Sequence, residues 1–476
     1  MSRPITKSHP SSRSGRAEGS LVTESIPHDS PNFPITKNSF YIARAPPISV
    51  CLVLLLIGCA TAGRKSSAAF DVRQFGATGN GATKDTAAFQ KALDNAGAHK
   101  GGLVVVPAGN YLIGSVVIPS GVTLRFEQGA TITGSPDKAD YPVRTIRWEG
   151  VWRDGHRALF FAEKGKNITL TGPGKIVGNF PLGHLRNPRG PCLLEFIECN
   201  NVRIDGLNIE YERMWAIHPT YCTDVWISNL TIRSKLDNGD GIDVDSCERV
   251  RIDHCDIDTG DDAIALKSGR GEAAAKIARP TQDVRICDCT LGSKFAGLAI
   301  GTEMSGGIRN VHFERCRFTH GSNSIFIKSR TGRGGFMEEI HGVDLVAEAS
   351  CFLRLDLTTK GITGSDPIPG EAGIPHVANL SFTNVKSTSP VLIDARRIAP
   401  QKPVENLSVT NVTGTCKKPI ALANIKGVEL ANIDVAGARP ITITNVTGTG
   451  LEGATQVPPD PNPPTQPTQP AARPGP

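Results

Sequence analysis

Short segments in which apolar and polar residues alternate recur along the chain from residue 168 onward. Each begins on an aliphatic anchor residue and often passes through an Asn, Asp or Cys, as in NVRIDGLNI and DVWISNLTI. The anchors are spaced by 21 (407 to 428) to 40 (340 to 380) residues, and the alternation has the period of a strand. Such self-similarity predicts a β-solenoid whose coils stack on one another. The anchors are Ile168, Val202, Val225, Val250, Val284, Val311, Ile340, Leu380, Leu407 and Val428.

The position five residues after the anchor is also apolar from repeat to repeat, which predicts a ladder of side chains that face the core. Cys199, Cys222 and Cys247 occupy a second repeated position, three residues before an anchor. We interpret the cysteines of both positions as small buried hydrophobic residues rather than as disulfides or metal ligands. The ladder consists of Leu207, Leu230, Cys255, Cys289, Cys316, Leu345, Val385, Val412 and Ile433.

The segment 70–102 has a different pattern: a strand, a glycine-rich turn and then a helix. Asp85 is placed to act as the N-cap of that helix. Apolar residues follow at the spacing i, i+3, i+4 and i+7, and a solenoid requires a cover for its open first coil. We therefore expect a short N-terminal capping helix. The apolar positions are Phe89, Ala92, Leu93 and Ala96.

Composition agrees with a single elongated domain. The chain has 476 residues, 39% of them hydrophobic but only 5% aromatic, which favours a thin core of small apolar side chains. Length alone allows about two or three domains of roughly 150 residues. Because the repeats extend along most of the chain, we expect one all-β domain instead, a single-stranded parallel β-helix. The net charge of +6 is mild and forms no basic block, so no nucleic-acid partner is expected.

The N-terminal part of the chain predicts export, and its C-terminal end predicts a disordered tail. Residues 48–60 form the only long apolar run, too short for a confident membrane span but suited to a signal peptide. Its end, Leu56 to Cys59, resembles the lipobox of bacterial lipoproteins, in which Cys59 would be lipidated; ordinary cleavage near Ala60 or Ala62 is the alternative. We expect a secreted or membrane-anchored bacterial protein, a monomer, with an N-terminal extension over 1–65, the β-helix over 66–450 and a proline-rich disordered tail over 451–476.

The densest polar cluster lies in NGDGIDVDSC and DTGDDAIALKSG. Asp240 follows its anchor by 15 residues (240 − 225), and Asp261 and Asp262 follow theirs by 11 and 12 (261 − 250, 262 − 250), so all three lie late in adjacent coils. Strands about 4.8 Å apart would bring the carboxylates to about 5–10 Å from one another. That range suits an inverting glycosidase, and mutual repulsion would keep one of them protonated as a general acid.

An alternative interpretation treats these residues as ordinary turns, because Asp, Asn and Gly tolerate left-handed backbone conformations. Adjacent strand residues also point to opposite faces. Asp261 and Asp262 can therefore share a cleft only if the backbone near Gly260 departs from a regular strand.

Four motifs in this order, NGDGIDVDSC, GDDAIALKSG, AGLAIGTEMSGG and IKSRTGRGG, resemble glycoside hydrolase family 28, the polygalacturonases and rhamnogalacturonases that cleave pectin. The resemblance implies a right-handed parallel β-helix that hydrolyses a pectic polysaccharide with inversion and without a metal or other cofactor. It implies that Asp261 is the general acid and that Asp240 and Asp262 activate water. It also places Lys328, and with it Arg330 and Lys267, among candidate substrate-binding residues, although Lys267 could equally be a solvated turn residue.

Two positions depart from the family pattern. The Gly-His-Gly motif of the family corresponds to Phe295-Ala296-Gly297, and its Arg-Ile-Lys motif to Phe326-Ile327-Lys328. The usual His and Arg are therefore replaced by Ala296 and Phe326, so Arg330 or Arg333 would have to supply a missing cation. Two alternatives stay open: a calcium-dependent polysaccharide lyase on the same scaffold, and a carbohydrate-binding solenoid without catalysis.

Overall fold

The computed structural model describes residues 69–183, 185–211, 214–358 and 366–459. Every consecutive pair of anchors from Ile168 to Val428 is paired in parallel register on adjacent strands. The predicted solenoid is therefore confirmed as a parallel β-helix. The predicted signal peptide at 48–60 with Cys59, and most of the predicted tail, lie outside the described residues.

The strands form three stacks, each running coil to coil along the solenoid. The anchor stack comprises Ala69–Asp71, Gly102–Val106, Val122–Phe126, Lys166–Thr171, Asn200–Asp205, Thr223–Ser228, Glu248–Asp253, Thr281–Cys287, Ile308–Glu314, Phe336–Ala347, His376–Ser387 and Val404–Thr415. The second stack comprises Asn80–Lys84, Gly109–Ile113, Ala130–Gly134, Lys175–Val177, Asn208–Glu210, Thr231–Ser234, Asp256–Thr259, Thr290–Ser293 and Arg317–His320. The third, called the site stack below, comprises Val116–Val117, Phe160–Glu163, Leu194–Ile197, Ile217–Thr220, Ile242–Asp245, Ile264–Lys267, Ala296–Ile300, Asn323–Lys328, Cys351–Asp356 and Val391–Arg397.

Long strands complete the C-terminal coils. Ala421–Ala436 and Thr442–Thr449 each take part in both the site stack and the anchor stack. Thr455–Gln456 then pairs with the preceding strand, so the coil continues past the boundary expected at residue 450. The remaining strands, Val143–Trp148 and Val151–His156, form an antiparallel hairpin that packs against the site stack.

The residue just before each anchor lies within its strand and bends the chain there. It has a positive φ in every described coil from residue 167 onward, for example 55° at Asn167 and 58° at Asn406. Asparagine tolerates this left-handed conformation better than most residues, which explains its recurrence in the sequence pattern. The asparagines also bond from coil to coil, as between Asn406 Nδ2 and Asn379 Oδ1 at 2.8 Å.

The N-terminal helix spans Thr86–Ala98 and buries the four predicted apolar residues against the core. Asp85 stands at its N-cap position, but its side chain makes no capping bond to the helix. The carboxylate instead accepts hydrogen bonds from the backbone N–H groups of Thr78 and Gly79, because the glycine-rich turn folds back over it. The helix therefore begins after the predicted N-cap residue, although the Asp85 side chain does not cap it, and the function of the helix as a cover of the first coil stays a prediction.

Further helices are short: Phe180–Gly183 and Gly271–Ile277, with 3-10 turns at Val72–Phe75, Lys138–Asp140 and Glu371–Gly373. No helix in the described ranges is both long and apolar enough to cross a membrane.

The predicted ladder lies in the core: its members are buried except Ile433, which is partly buried. The cysteines confirm their predicted role, since Cys199, Cys222, Cys247, Cys255, Cys289 and Cys316 are buried free thiols. The solenoid is therefore held together by stacked apolar side chains and the strand ladder, with no disulfide among the described residues.

Candidate active site

The three predicted catalytic aspartates converge where the chain enters the site stack. Asp240 precedes the strand Ile242–Asp245, and Asp261 and Asp262 precede the next strand, Ile264–Lys267. One carboxylate oxygen from each lies within 4.8 Å of the others. This is shorter than the separation of about 5–10 Å expected from strand spacing, so the three groups interact strongly. Asp240 and Asp262 are buried, whereas Asp261 is half-buried.

The backbone explains how two adjacent aspartates share one cleft. Both lie in the bend before the strand, so strand alternation does not apply to them. Gly260 permits the bend, because a Cβ at that position would lie 2.0 Å from the carbonyl oxygen of Leu236. The carbonyl of Asp261 accepts a bond from Thr259 Oγ1 at 2.8 Å, and the carbonyl of Asp262 accepts one from the N–H of Gly241 at 3.0 Å.

Two lysines bring positive charge to the cluster. Lys328 Nζ donates to Asp262 Oδ2 at 2.7 Å. Lys267 Nζ lies 3.0 Å from Asp243 Oδ1 and 4.0 Å from Asp240 Oδ2, and it sits over the ring of Trp215 at 3.9 Å from the centroid. Lys267 is buried at the end of its strand, so its interpretation as a solvated turn residue was wrong.

Burial and like charge raise the pKa of two of the three aspartates. Burial, together with the charges of Asp243 and Asp261, raises the pKa of Asp240 well above its usual range. Burial and the neighbouring Asp262 also raise the pKa of Asp261. Both shifts favour a protonated carboxyl in the cluster near neutral pH, which is the requirement for a general acid.

The raised pKa of Asp240 makes a prediction about stability. A carboxyl whose pKa is higher in the folded than in the unfolded chain loses stability as pH rises above about 4, because the folded state resists ionisation. We therefore expect D240N to be more stable than the wild type at pH 7, by about 1–2 kcal/mol, while losing activity. Thermal melting between pH 4 and 8 would show the difference shrinking toward pH 4.

The matched control is D224N. The pKa of Asp224 is lowered by its hydrogen bond to Arg249 on the surface, so this substitution should lower stability slightly at pH 7. A lower melting temperature for D240N than for the wild type at pH 7 would contradict the assignment.

Sequence reasoning missed two further acids. Asp243 points outward from the site stack yet is fully buried, and burial raises its pKa to about 7 despite Lys267. Burial alone would also raise the pKa of Glu303, but Lys267, Arg333 and Lys328 outweigh it and lower that pKa to about 2. The sequence held a signal for Asp243, since it alternates with the core residues Ile242 and Val244.

A third missed feature is the hairpin Val143–Trp148 and Val151–His156. Its Arg147 Nε donates to Asp245 Oδ2 at 3.1 Å, and both side chains are buried. The Arg147 guanidinium also lies 5.5 Å from the ring centre of Trp152 and 5.4 Å from that of Tyr221. No local pattern could reveal this contact, because 98 residues separate Arg147 from its partner.

The three carboxylates lie close enough together to hold a metal ion, so the charge of their surroundings decides whether a cation would bind. Calcium sites are built from oxygen ligands and gain affinity from their negative charge. Here Lys328 is bonded to Asp262 and Lys267 approaches Asp240, so two cations already offset the charge of the cluster. The arrangement suits acid and base chemistry by the carboxyl groups themselves better than a calcium site.

Comparison with known proteins gives the family. Residues 98–426, more than two thirds of the chain, match the family model of Glycosyl hydrolases family 28. The chain belongs to this family. The resemblance carried by the four motifs is thereby confirmed.

Individual relatives agree with this membership. A probable polygalacturonase of Vitis vinifera is 33% identical over 360 residues, which cover 71% of this chain and 72% of that protein. The crystal structure of a hyperthermoactive exopolygalacturonase from Thermotoga maritima matches with a TM-score of 0.70 at 26% identity, covering 78% of this chain and 92% of the other. A polygalacturonase structure from Erwinia carotovora, with a TM-score of 0.60 at 20% identity over 78% and 97% of the two chains, supports the fold alone. The protein is a polygalacturonase-like glycosyl hydrolase.

The two residues that depart from the family 28 pattern belong to one apolar cluster, which is buried apart from Phe295. Phe326 packs outward from the site stack with Ala296 and with Ala265 and Ala299 of neighbouring strands. The half-exposed Phe295 lies 5.7 Å from Phe326, centre to centre. We call these five residues the apolar wall.

Lys328 ends the strand Asn323–Lys328, and the predicted binding residue Arg330 and the alternative Arg333 follow it. Lys328 Nζ is 4.8 Å from the ring centre of Phe295 and 5.5 Å from that of Phe326, so this ammonium joins the apolar wall to Asp262. Arg330 follows two residues later and is half-buried, while Arg333 is buried and lowers the pKa of Glu303. Substrate contact by Lys328, Arg330 or Lys267 stays a prediction.

Proposed function

We propose that this member of family 28 hydrolyses a glycosidic bond in a pectin-type, uronate-containing polysaccharide with inversion, using three aspartates. The observation that carries the proposal is the convergence of Asp240, Asp261 and Asp262, with one carboxylate half-exposed and two buried, beside Lys328. The names of the relatives, polygalacturonases, support a galacturonan or rhamnogalacturonan substrate.

Asp261 is the residue best placed to be the general acid. It is the most exposed of the three, so it can reach the glycosidic oxygen, and its raised pKa favours the protonated form. In the proposed step, Asp261 gives its proton to that oxygen while the bond from the oxygen to the anomeric carbon breaks.

Asp262 and Asp240 would hold the attacking water on the opposite side of the sugar. The water oxygen bonds to the anomeric carbon and its proton passes to Asp262, whose ion pair with Lys328 suits an anionic base. Asp240 orients the same water. The product carries the inverted anomeric configuration, and the proton returns to Asp261 through solvent.

The apolar wall supports a narrower view of the substrate. At the edge of the catalytic cluster the apolar wall exposes the ring of Phe295 and buries Phe326 at the position where the family motif has an Arg, and Lys328 is already bonded to Asp262. We propose that the sugar beside the cleaved bond rests on the exposed ring of Phe295, which packs against the buried Phe326, and that Lys328 supplies the local positive charge. Such a subsite favours a sugar whose bound face is largely apolar.

Secretion is the second part of the proposal. It rests on the apolar run 48–60 and the resemblance of its end to a lipobox, with Cys59 as the acylated residue or cleavage near Ala60. A polysaccharide substrate outside the cell requires such export. Mass measurement of the mature N-terminus would separate lipidation from plain cleavage.

The direct test is product analysis on pectic polymers with a chelator present. We expect release of reducing ends, unchanged by EDTA, with inverted anomeric configuration in early products read by proton NMR. An unsaturated product that absorbs in the ultraviolet and needs calcium would replace the proposal by a lyase. Saturable binding without turnover on any polymer of the panel, with folding verified by circular dichroism, would replace it by a binding module.

A further inference from the structure

Glu303 is a buried acid of the site that the proposed mechanism does not use. It belongs to the motif AGLAIGTEMSGG, lies in the loop that follows the strand Ala296–Ile300 and is 8% exposed. The tip of the hairpin covers it, since a Cβ on Gly150 would lie 3.0 Å from Glu303 Cγ. A buried carboxylate is costly unless opposite charges accompany it, so the neighbours of Glu303 decide what it does.

The loop that carries Glu303 starts between two lysines of the site. The strand before this loop lies between the strand that ends at Lys267 and the strand that ends at Lys328. Gly301, the first residue of the loop, is level with the two lysines but has no side chain, and its φ of 97° turns the chain aside. Because adjacent strands are about 4.8 Å apart, each lysine is one strand away from this loop.

Backbone hydrogen bonds fix the loop against the segment that follows Lys267. The N–H of Ser268 donates to the carbonyl oxygen of Glu303 at 2.7 Å. The N–H of Ser305 donates to the carbonyl oxygen of Gly269 at 2.9 Å. The backbone of Glu303 is therefore held in a defined position relative to Lys267.

Glu303 is surrounded mainly by cations. Burial alone would raise its pKa, but Lys267, Arg333 and Lys328 lower that pKa to about 2, so the side chain is an anion. Burial opposes the charge of Lys267, whereas Asp243 and then Glu303 favour it, and the pKa of Lys267 lies well above its usual range. The charged or titratable groups that face Glu303 are Lys267, Lys328, Arg333, Arg147, Asp243 and His218.

Each of the two lysines also approaches a catalytic aspartate. Lys328 Nζ lies 2.7 Å from Asp262 Oδ2, and Lys267 Nζ lies 4.0 Å from Asp240 Oδ2. An anion beside both lysines reduces the positive charge that they impose on the aspartates. This reduction matters most for Asp261, because a general acid must keep its proton until the glycosidic bond breaks.

We propose that Glu303 is a positioning residue of the reaction: its buried carboxylate holds the ammonium groups of Lys267 and Lys328 beside the catalytic aspartates and offsets part of their charge. Glu303 acts through the two lysines and takes no part in bond breaking. The inference rests on the proposed function, because it concerns the general acid of that site. It explains how Asp261 stays protonated next to two cations.

The first test is the pH profile of E303Q. The amide keeps the size of the side chain and removes its charge, so the two lysines act on Asp261 with less compensation. The general acid then loses its proton at a lower pH. We expect the alkaline limb of the pH profile of kcat/KM to move down by roughly one pH unit relative to the wild type. A role in packing alone would lower stability and leave the limb in place.

Three further variants separate charge from shape. E303D shortens the side chain but keeps its charge, so it should have the wild-type limb. R333Q removes a cation that faces Glu303, so its limb should move to higher pH, and it keeps the test valid if E303Q folds poorly. The control E314Q removes a surface acid of the anchor stack, paired with Arg285, and should leave the limb unchanged. An unchanged limb in both E303Q and R333Q overturns the inference.

Failure of this inference is distinguishable from failure of the proposed function. Carbon-13 NMR of protein labelled at the aspartate carboxyl carbons follows the titration of Asp261 without turnover, and D261N identifies its signal. A lower titration midpoint in E303Q than in the wild type supports the inference even if the wild type cleaves no pectic polymer. An unchanged midpoint overturns it even if the wild type is an active hydrolase.

Discussion

Replacing Asp261 with Asn lowers kcat on a pectic polymer by about 10³-fold, within the range of about 10²–10⁴ that a positioned general acid contributes. The amide has the shape of the carboxyl group but cannot give a proton to the glycosidic oxygen. The fold should be unaffected, because Asp261 is held mainly through its backbone carbonyl, which bonds Thr259 and Ser293. Steady-state kinetics with thermal melting would check both statements.

The control for D261N is D256N. Asp256 is an exposed residue of the preceding strand, ion-paired with Arg233, so its loss should leave kcat unchanged. A substrate with an activated aryl leaving group sharpens the test, since it departs without a proton. D261N should recover much of its activity on that substrate, whereas D262N should not. Equal defects of D261N on both substrates would overturn the acid role.

Replacing Lys267 with Met has the largest expected effect on stability. Lys267 is the buried cation beside Asp243 and Asp240, and removing one partner of a buried ion pair costs about 3–5 kcal/mol. The loss should depend on pH. Without Lys267 the pKa of Asp243, about 7 in the wild type, rises further, so the penalty is greatest above neutral pH and declines as these carboxyls become protonated.

Urea unfolding of K267M between pH 5 and 8 measures this penalty. The double variant K267M/D243N removes the unpaired carboxylate with the lysine and should recover part of the lost stability at pH 8. K294M, which removes an exposed lysine 3.8 Å from Asp237, is the control and should have little effect. A pH-independent loss in K267M, or no recovery in the double variant, would contradict the electrostatic explanation.

The fold could be predicted because its signal is repeated. Each coil carries the same anchor and ladder positions, so a wrong assignment in one repeat is corrected by comparison with the others. In the anchor stack, the register from Ile168 to Val428 follows the alignment of the repeats without a shift. The N-cap position at Asp85 was predicted correctly, but its side chain does not cap the helix, because the carboxylate accepts hydrogen bonds from N–H groups of the preceding turn. The glycine-rich turn that folds over it cannot be read from the helix pattern.

The sequence by itself determined the parallel β-helix, the buried cysteines and the placement of three aspartates late in adjacent coils, because a strand repeat dictates which positions lie side by side. The bend after Gly260, which the repeat does not encode, brings the three aspartates into one cleft. The tertiary structure decided what surrounds them. It buried Lys267 against Trp215 and Asp243, brought Arg147 from a distant hairpin onto Asp245 and left the Nε of Arg354 without a partner among the described residues. Burial and charge pairing depend on segments that meet only after folding, and these two quantities set the pKa values of the site.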